Sequence, residues 1–196
     1  MGRHTESSIN TYLDTALFIK YNNTMTILAL DTASRKTGYA IYKNQKIVES
    51  GVWKINPKQP FSDLESRIIS VINKHHPDQI VAEDIYKSQD ARLQSAFDKL
   101  SQCHGILHLI NEKTNIPLYL MDARRAKREL WGYSYRHRTM KREEQKQRMI
   151  RVVERLGYTL STDRKGNKSD DEADAIGILT AYLQIFKIPV QHPKTL

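Results

Sequence analysis

Two short apolar runs, Ile-Leu-Ala-Leu at residues 27–30 and Ile-Val-Ala at 80–82, each stop on a carboxylate, Asp31 and Glu83. Successive side chains of a strand point to opposite faces, so a run without a polar member is a strand covered on both sides. That requires a sheet with a layer on each face, and it makes the acid ending each run costly unless something partners it. If the two strands are parallel neighbours, both acids emerge at the carboxyl edge, where open α/β sheets place their sites. Asp31 taken alone also suits a turn, accepting backbone donors within "DTASRKTG". Glu83, between Ala82 and Asp84, has few structural uses, and Asp84 alternates to the other face.

The remaining pattern supplies the layers. After the strand "MTILALDT", "GYAIYKN" and "KIVESGVW" alternate as an antiparallel hairpin with Asn44 and Gln45 at its turn. Ser62 and Glu65 form a capping box for a helix through about residue 75, with Leu64, Ile68, Val71 and Ile72 inward and Pro77 beyond its end. The strand "QIVAEDIY" leads to a helix from about 88 to 113 carrying Phe97, Leu100, Leu107 and Ile110 at helical spacing. "LYLMDA" follows Pro117 as another strand. A short helix ends near Gly132, an aromatic loop follows, and a helix runs from about 139 to 156 before Gly157. "STDRKGNKS" reads as a flexible polar loop ahead of a last helix from about 170 to 186. The expectation is an α/β fold, a mixed five-stranded sheet with helices on both faces, in one domain over residues 25–188. Residues 1–24 form an extension, either disordered or a short helix over "YLDTALFIKY", and 189–196 a tail. Met25 also stands where translation could begin.

The last helix opens with Asp170, Asp171, Glu172 and Asp174. Acids in a first turn complement the macrodipole, each contributing about 0.3–1 kcal/mol, which accounts for Asp170 as a cap and Glu172 as a solvent-facing acid. Asp171 and Asp174 are three apart and share a face that Ile178 continues inward. An unpaired carboxylate at Asp174, past the first turn and beside apolar residues, costs several kcal/mol unless a cation neutralises it. Asp31, Glu83, Asp171 and Asp174 make an all-oxygen set, which hard Mg²⁺ or Mn²⁺ prefers. The seven histidines and one cysteine show no zinc-ligand spacing. Two divalent ions about 3.5–4 Å apart in such a set would activate a water and stabilise a leaving oxygen in phosphodiester cleavage.

Charge agrees with a nucleic-acid substrate. Most of the net +9 lies between residues 122 and 151, where eleven Lys and Arg oppose four acids and Trp131, Tyr133, Tyr135 and His137 are interleaved. Cations among aromatics suit phosphate contacts and base stacking. A solvated helix face is the plainer reading of the same residues. Arg124, Arg125, Lys127, Arg128, Arg136, Arg138, Lys141 and Arg142 are the candidate DNA contacts. No stretch approaches the roughly 18 apolar residues of a membrane span. The single Cys103 fits a packed thiol in a reducing cytoplasm, bacterial or, for a phage-encoded protein, that of its host.

The segments "ILALDTASRKTGYAIY", "IVAEDIY" and "DDEADAIGIL" resemble, in order and spacing, the three acidic motifs of the RuvC-type Holliday junction resolvases. The resemblance covers about residues 25–186 and implies an RNase H-like fold in which Asp31, Glu83, Asp171 and Asp174 bind two catalytic Mg²⁺ ions, with Mn²⁺ able to substitute. It implies that Tyr86 stacks on bases near the junction centre and that Lys127, within "RRAKRELWG", contacts the scissile phosphate region. A second lysine of the family falls on Glu143 in a gapless match, two residues from Lys141, so its counterpart is open. "DTASRKTG" stands where "DPGSxxTG" is usual, which points to a divergent member of phage or mobile-element type and leaves junction specificity open. Also implied are a homodimer and paired nicks in a four-way junction, leaving 5′-phosphate and 3′-hydroxyl ends. The helix at 88–113, through Phe97, Leu100 and Leu107, is the expected interface. Other RNase H-like nucleases acting on branched DNA or RNA–DNA hybrids would use the same acids. A sugar-kinase or actin-like ATPase lacks support because no second glycine-rich phosphate loop is present. A junction-binding protein with a dead site would have no physical reason to keep all four acids.

Overall fold

The computed structural model describes residues 24–85, 94–132 and 140–193. Tyr86, Arg136, Arg138, the aromatic loop, the start of the helix expected at 88 and residues 1–23 lie outside the described residues. In chain order the elements are β1 (Ile27–Asp31), β2 (Lys36–Lys43), β3 (Lys46–Lys54), α1 (Pro60–His75), β4 (Gln79–Glu83), α2 (Gln94–Thr114), β5 (Leu118–Met121), α3 (Ala123–Trp131), α4 (Arg142–Arg155) and α5 (Asp170–Ile185). The five strands form one sheet in the order β3-β2-β1-β4-β5. β1, β2 and β3 are antiparallel neighbours, while β1 with β4 and β4 with β5 are parallel. Asn44 and Gln45 turn the β2–β3 hairpin with φ of 52° and 62°, as a two-residue loop between twisted strands requires.

The sheet separates two cores. Ile27, Ala29 and Val81 face α3, α4 and α5, while Leu28, Leu30, Ile80 and Ala82 face α1 and α2. Both parities of β1 are thus buried, which is why its sequence shows no alternation. α5 is the central element, with Ala173, Ala175, Ile176, Leu179, Ala181 and Leu183 fully buried along it. It lies so close to β2 that a Cβ at Gly38 would stand 1.9 Å from the carbonyl oxygen of Asp171. Only glycine permits that approach.

Several local expectations are corrected. α1 begins at Pro60, ahead of the proposed capping box; the proline occupies the first turn, where its missing N–H is no loss. Ser62 Oγ donates to the Gln59 carbonyl at 3.4 Å, and Asp63 accepts from the Asn56 N–H at 2.9 Å. Ser169, not Asp170, caps α5, accepting from the Glu172 N–H at 3.3 Å. Glu172 is buried rather than solvent-facing; it accepts from Ser50 Oγ at 2.7 Å and from the Ser161 N–H and Oγ at 2.8 and 2.5 Å. Leu107 belongs to the core and is no interface residue, whereas Phe97 and Leu100 are half-buried. The polar loop at 161–169 is knitted together rather than loose. Asp163 accepts from the Lys165 and Asn167 N–H groups at 2.7 and 2.9 Å, and Thr162 bridges Lys168.

Two outcomes follow from this packing. Glu172→Ala lowers the unfolding free energy by about 1.5–3 kcal/mol, read from urea unfolding, because three donors lose a buried charged acceptor. Gly38→Ala destabilises by about 1–3 kcal/mol, because α5 has to withdraw from β2; an unchanged midpoint would contradict the close approach.

Candidate active site

Strand parity aims the acids before any helix is considered. Asp31 shares its face with Ile27 and Ala29, and Glu83 with Val81, so both carboxylates turn toward α5. Leu30 pairs with Ala82 in the parallel register, which puts Asp31 and Glu83 side by side one residue further on. Asp31 also pairs with Gly38, whose missing side chain admits the first turn of α5 with Asp171 and Asp174. The loop from Asp31 to Lys36 is closed by Thr37, whose buried hydroxyl donates to the Ala33 carbonyl at 3.1 Å. All four sequence-predicted acids line one cavity of about 320 Å³.

Cations ring this cavity. Lys127 projects from α3, a helix capped by Asp122, which accepts from the Arg125 N–H at 2.8 Å. Its ammonium donates to Gln145 Oε1 at 3.4 Å and lies 6.0 Å from the Trp131 ring centre. Arg142, one of the residues expected to contact DNA, lines the same cavity. Arg125, Arg128 and Lys141 do not line it and stand exposed nearby, while Arg124 lines an adjoining cavity with Glu83, Asp84 and Asp122.

Sequence reasoning missed Lys146, Asp170 and Lys36 as site residues. Lys146 on α4 holds Asp170 at 2.5 Å, and both line the cavity. Lys36 stands 3.8 Å from Asp171. Lys146 precedes the buried Met149 and Ile150 by three and four residues, so helical spacing places it on the inward face. In a helix crowded with cations that signal was diluted.

The electrostatics describe acids crowded together. Burial pushes the Asp31 carboxyl well above the usual range, reinforced by Asp174, Glu83, Asp171 and Asp170. Asp174 is pushed up to about 7 by burial first and Glu83 next, with Lys127 opposing. Burial also raises Glu83 against the pull of Lys127, and raises Asp171 with help from Asp170 against Lys36. Burial acts on Asp170 in the same direction, but the hydrogen bond and charge of Lys146 outweigh it and leave its carboxyl low. Such a set is chemically suited to a hard divalent cation, since every donor is a carboxylate oxygen and their mutual repulsion is what a cation relieves. Among the described residues no three acids, histidines or cysteines close into a cage, so the carboxylates line the cavity rather than enclose it.

A carboxyl raised in the folded state holds a proton that the unfolded chain gives up, so its contribution to stability falls as pH climbs from about 3.8 through about 7. Asp174→Asn removes that loss. In EDTA the variant therefore gains Tm over the parent, by more at pH 8 than at pH 5, and divalent cation narrows the gap by stabilising the parent. Thermal unfolding at the two pH values checks this; a Tm loss at pH 8 would contradict the crowding.

Comparison with known proteins places this geometry. Residues 27–181 match the family described as crossover junction endodeoxyribonuclease RuvC. No curated protein sequence matches the chain. Among solved structures, Thermus thermophilus RuvC in complex with a Holliday junction substrate is similar at a TM-score of 0.64 and 15% identity, covering 87% of this chain and 99% of that one. The yeast mitochondrial Holliday junction resolvase Ydc2 is similar at 0.51 and 15%, covering 86% and 84%. The fowlpox virus resolvase in complex with Holliday junction DNA is similar at 0.50 and 16%, covering 83% and 99%. These likenesses establish the expected RNase H-like resolvase fold.

Proposed function

Because the chain belongs to the RuvC family of crossover junction endodeoxyribonucleases, we propose that its carboxylate cavity is where a phosphodiester of a four-way DNA junction is hydrolysed. The observation that carries this reading is the convergence of Asp31, Glu83, Asp171 and Asp174 on one cavity beside Lys127. Two relatives of the same fold are seen with Holliday junction DNA, which supports four-way DNA as the substrate here.

In this reading Asp31, Glu83, Asp171 and Asp174 hold Mg²⁺, two ions per site, with Mn²⁺ able to replace it. When bound, the ions supply an activated water and stabilisation for the leaving oxygen. The chain's own residues do the rest. Lys127 already offsets the charge of Glu83 and Asp174, and in this reading its ammonium would meet a non-bridging oxygen of the phosphate held there. Lys146, held by Asp170, is a second cation at the cavity wall. Arg142 at the rim, with the exposed Arg124, Arg125, Arg128 and Lys141 around it, draws phosphates in without reading sequence. Tyr86, Arg136 and Arg138 complete the DNA contacts in the proposal. Paired nicks leaving 5′-phosphate and 3′-hydroxyl ends call for two sites related by two-fold symmetry, hence a homodimer. The half-buried Phe97 and Leu100 on α2 support that helix as its interface. The cytoplasm is the proposed place of action.

The test is purified protein with a synthetic four-way junction, linear duplex or RNA–DNA hybrid, each with Mg²⁺, Mn²⁺ or EDTA. Metal-dependent nicking of the junction is expected. Preferential cutting of the hybrid would move the protein to another RNase H-like activity. Asp31→Asn and Asp174→Asn each abolish nicking while junction binding persists, since losing a carboxylate lessens repulsion of phosphate. Undiminished nicking by either variant would sink the site assignment.

A further inference from the structure

Beside the carboxylate cavity lies a larger groove of about 700 Å³, floored by β2 and β3 and walled by the loop between α4 and α5. Lys36 stands 3.8 Å from Asp171 at one end of this groove, and Asp170 lines both spaces, so the groove opens into the candidate active site. None of the sequence motifs points to it.

Its charges are unevenly compensated. Of the two acids lining it, Asp163 is taken up by the Lys165 and Asn167 N–H groups and by Asn167 Nδ2 at 2.7, 2.9 and 3.0 Å, and Asp170 by Lys146 at 2.5 Å. Lys168 is paired with Glu154. Lys54, Arg164 and Lys165 line the groove exposed and have no acidic partner among the described residues. The wall that carries two of these cations is already ordered. Asp163 donates its N–H to the Asn167 carbonyl at 2.9 Å, Ser169 does the same to Ser161 at 2.9 Å, and Gly166 turns the tip at φ 80°. An ordered wall binds without the entropy loss of arranging a loose one.

The floor indicates what the groove does not read. Tyr39, its aromatic residue, is stacked on Trp53 with ring centres 4.6 Å apart and donates its hydroxyl to Glu49 at 3.1 Å. Trp53 takes one face of that ring, and the groove offers no second aromatic side chain among its lining residues for a run of stacked bases. Lysine and arginine without stacking partners suit the phosphates of a duplex.

We propose that this groove holds the sugar–phosphate backbone of the duplex arm leading away from the cleaved phosphate, with Lys54, Arg164 and Lys165 as sequence-independent contacts. The proposal rests on the reading of the protein as a junction nuclease. It assigns to β3 and to the 161–169 loop a binding role separate from that of the basic segment at 122–151.

The test uses the full-length protein, two variants drawn from different elements, Lys54→Gln and the double variant R164Q/K165Q, and a four-way junction measured by anisotropy across a salt series. Each phosphate contact contributes about 0.9 to the slope of log affinity against log salt. Both subunits of the proposed homodimer carry each substitution, so the slope is expected to fall by about 1.8 for Lys54→Gln and by about 3.6 for R164Q/K165Q. Shortening the junction arms in opposite pairs should weaken the parent for one pair in particular, and R164Q/K165Q should no longer distinguish it. Slopes and arm preferences equal to the parent's in both variants, with parental binding and nicking intact, would overturn the groove alone. A parent that neither binds nor nicks a junction would overturn the reading beneath it as well.

Discussion

Where β2 begins, the backbone of Gly38 faces the carbonyl of Asp171 with no space for a side chain between them. Gly38 is also the register partner of Asp31. One absent methyl group therefore lets a strand acid and a helix acid become neighbours, and α5 can lie flat across the sheet because of it. Thr37 next to it closes the loop that carries the chain from Asp31 back into β2. The spacing of the candidate site is thus set by backbone contact and not by the acids, which repel one another.

That repulsion has to be contained by the rest of the fold. α5 is buried along nearly its whole length, and its first turn is fixed three times: by the Ser169 cap, by the Lys146–Asp170 pair and by Glu172 with Ser50 and Ser161. Each fixture works on a residue adjacent to a crowded acid. Five positions hold four carboxylates with different duties: Asp170 and Glu172 are tied to Lys146, Ser50 and Ser161 and so anchor the turn that carries Asp171 and Asp174. Stability built around a strained cluster is common where function demands unfavourable charge.

Much of this was legible in the sequence. The unbroken runs before Asp31 and Glu83 announced a sheet covered on both sides, and helical spacing put Asp171 and Asp174 together. Glycine, proline and left-handed turn residues marked most element ends. What escaped were side chains whose role depends on tertiary neighbours. Glu172 looks like any first-turn acid until β3 and Ser161 are placed beside it. Lys146 looks like one more cation on a charged helix until Asp170 is seen facing it. Ser62 and Glu65 fit a capping pattern, but Pro60 starts the helix earlier because its fixed φ is already helical. The 161–169 loop was read from composition as loose, although "DRKGN" holds the side-chain acceptor and the glycine that let such a loop tie itself.

The two strand acids also carry a message in their position. β1 and β4 each deliver a carboxylate one residue past the last paired core position, on the α5 face. Direction along a strand repeats every two residues, so the chemistry depends on whether a count is odd or even. Insertion of one residue within either strand would rotate the carboxylate into the apolar layer of α1 and α2, while insertion of two would restore its direction. Length changes after Asp31 or Glu83 leave that count untouched. Chains built on this plan are therefore free to diverge in composition and loop length, provided the parity of two short strands is kept, and identities of 15–17% to solved relatives with the same sheet are compatible with that rule.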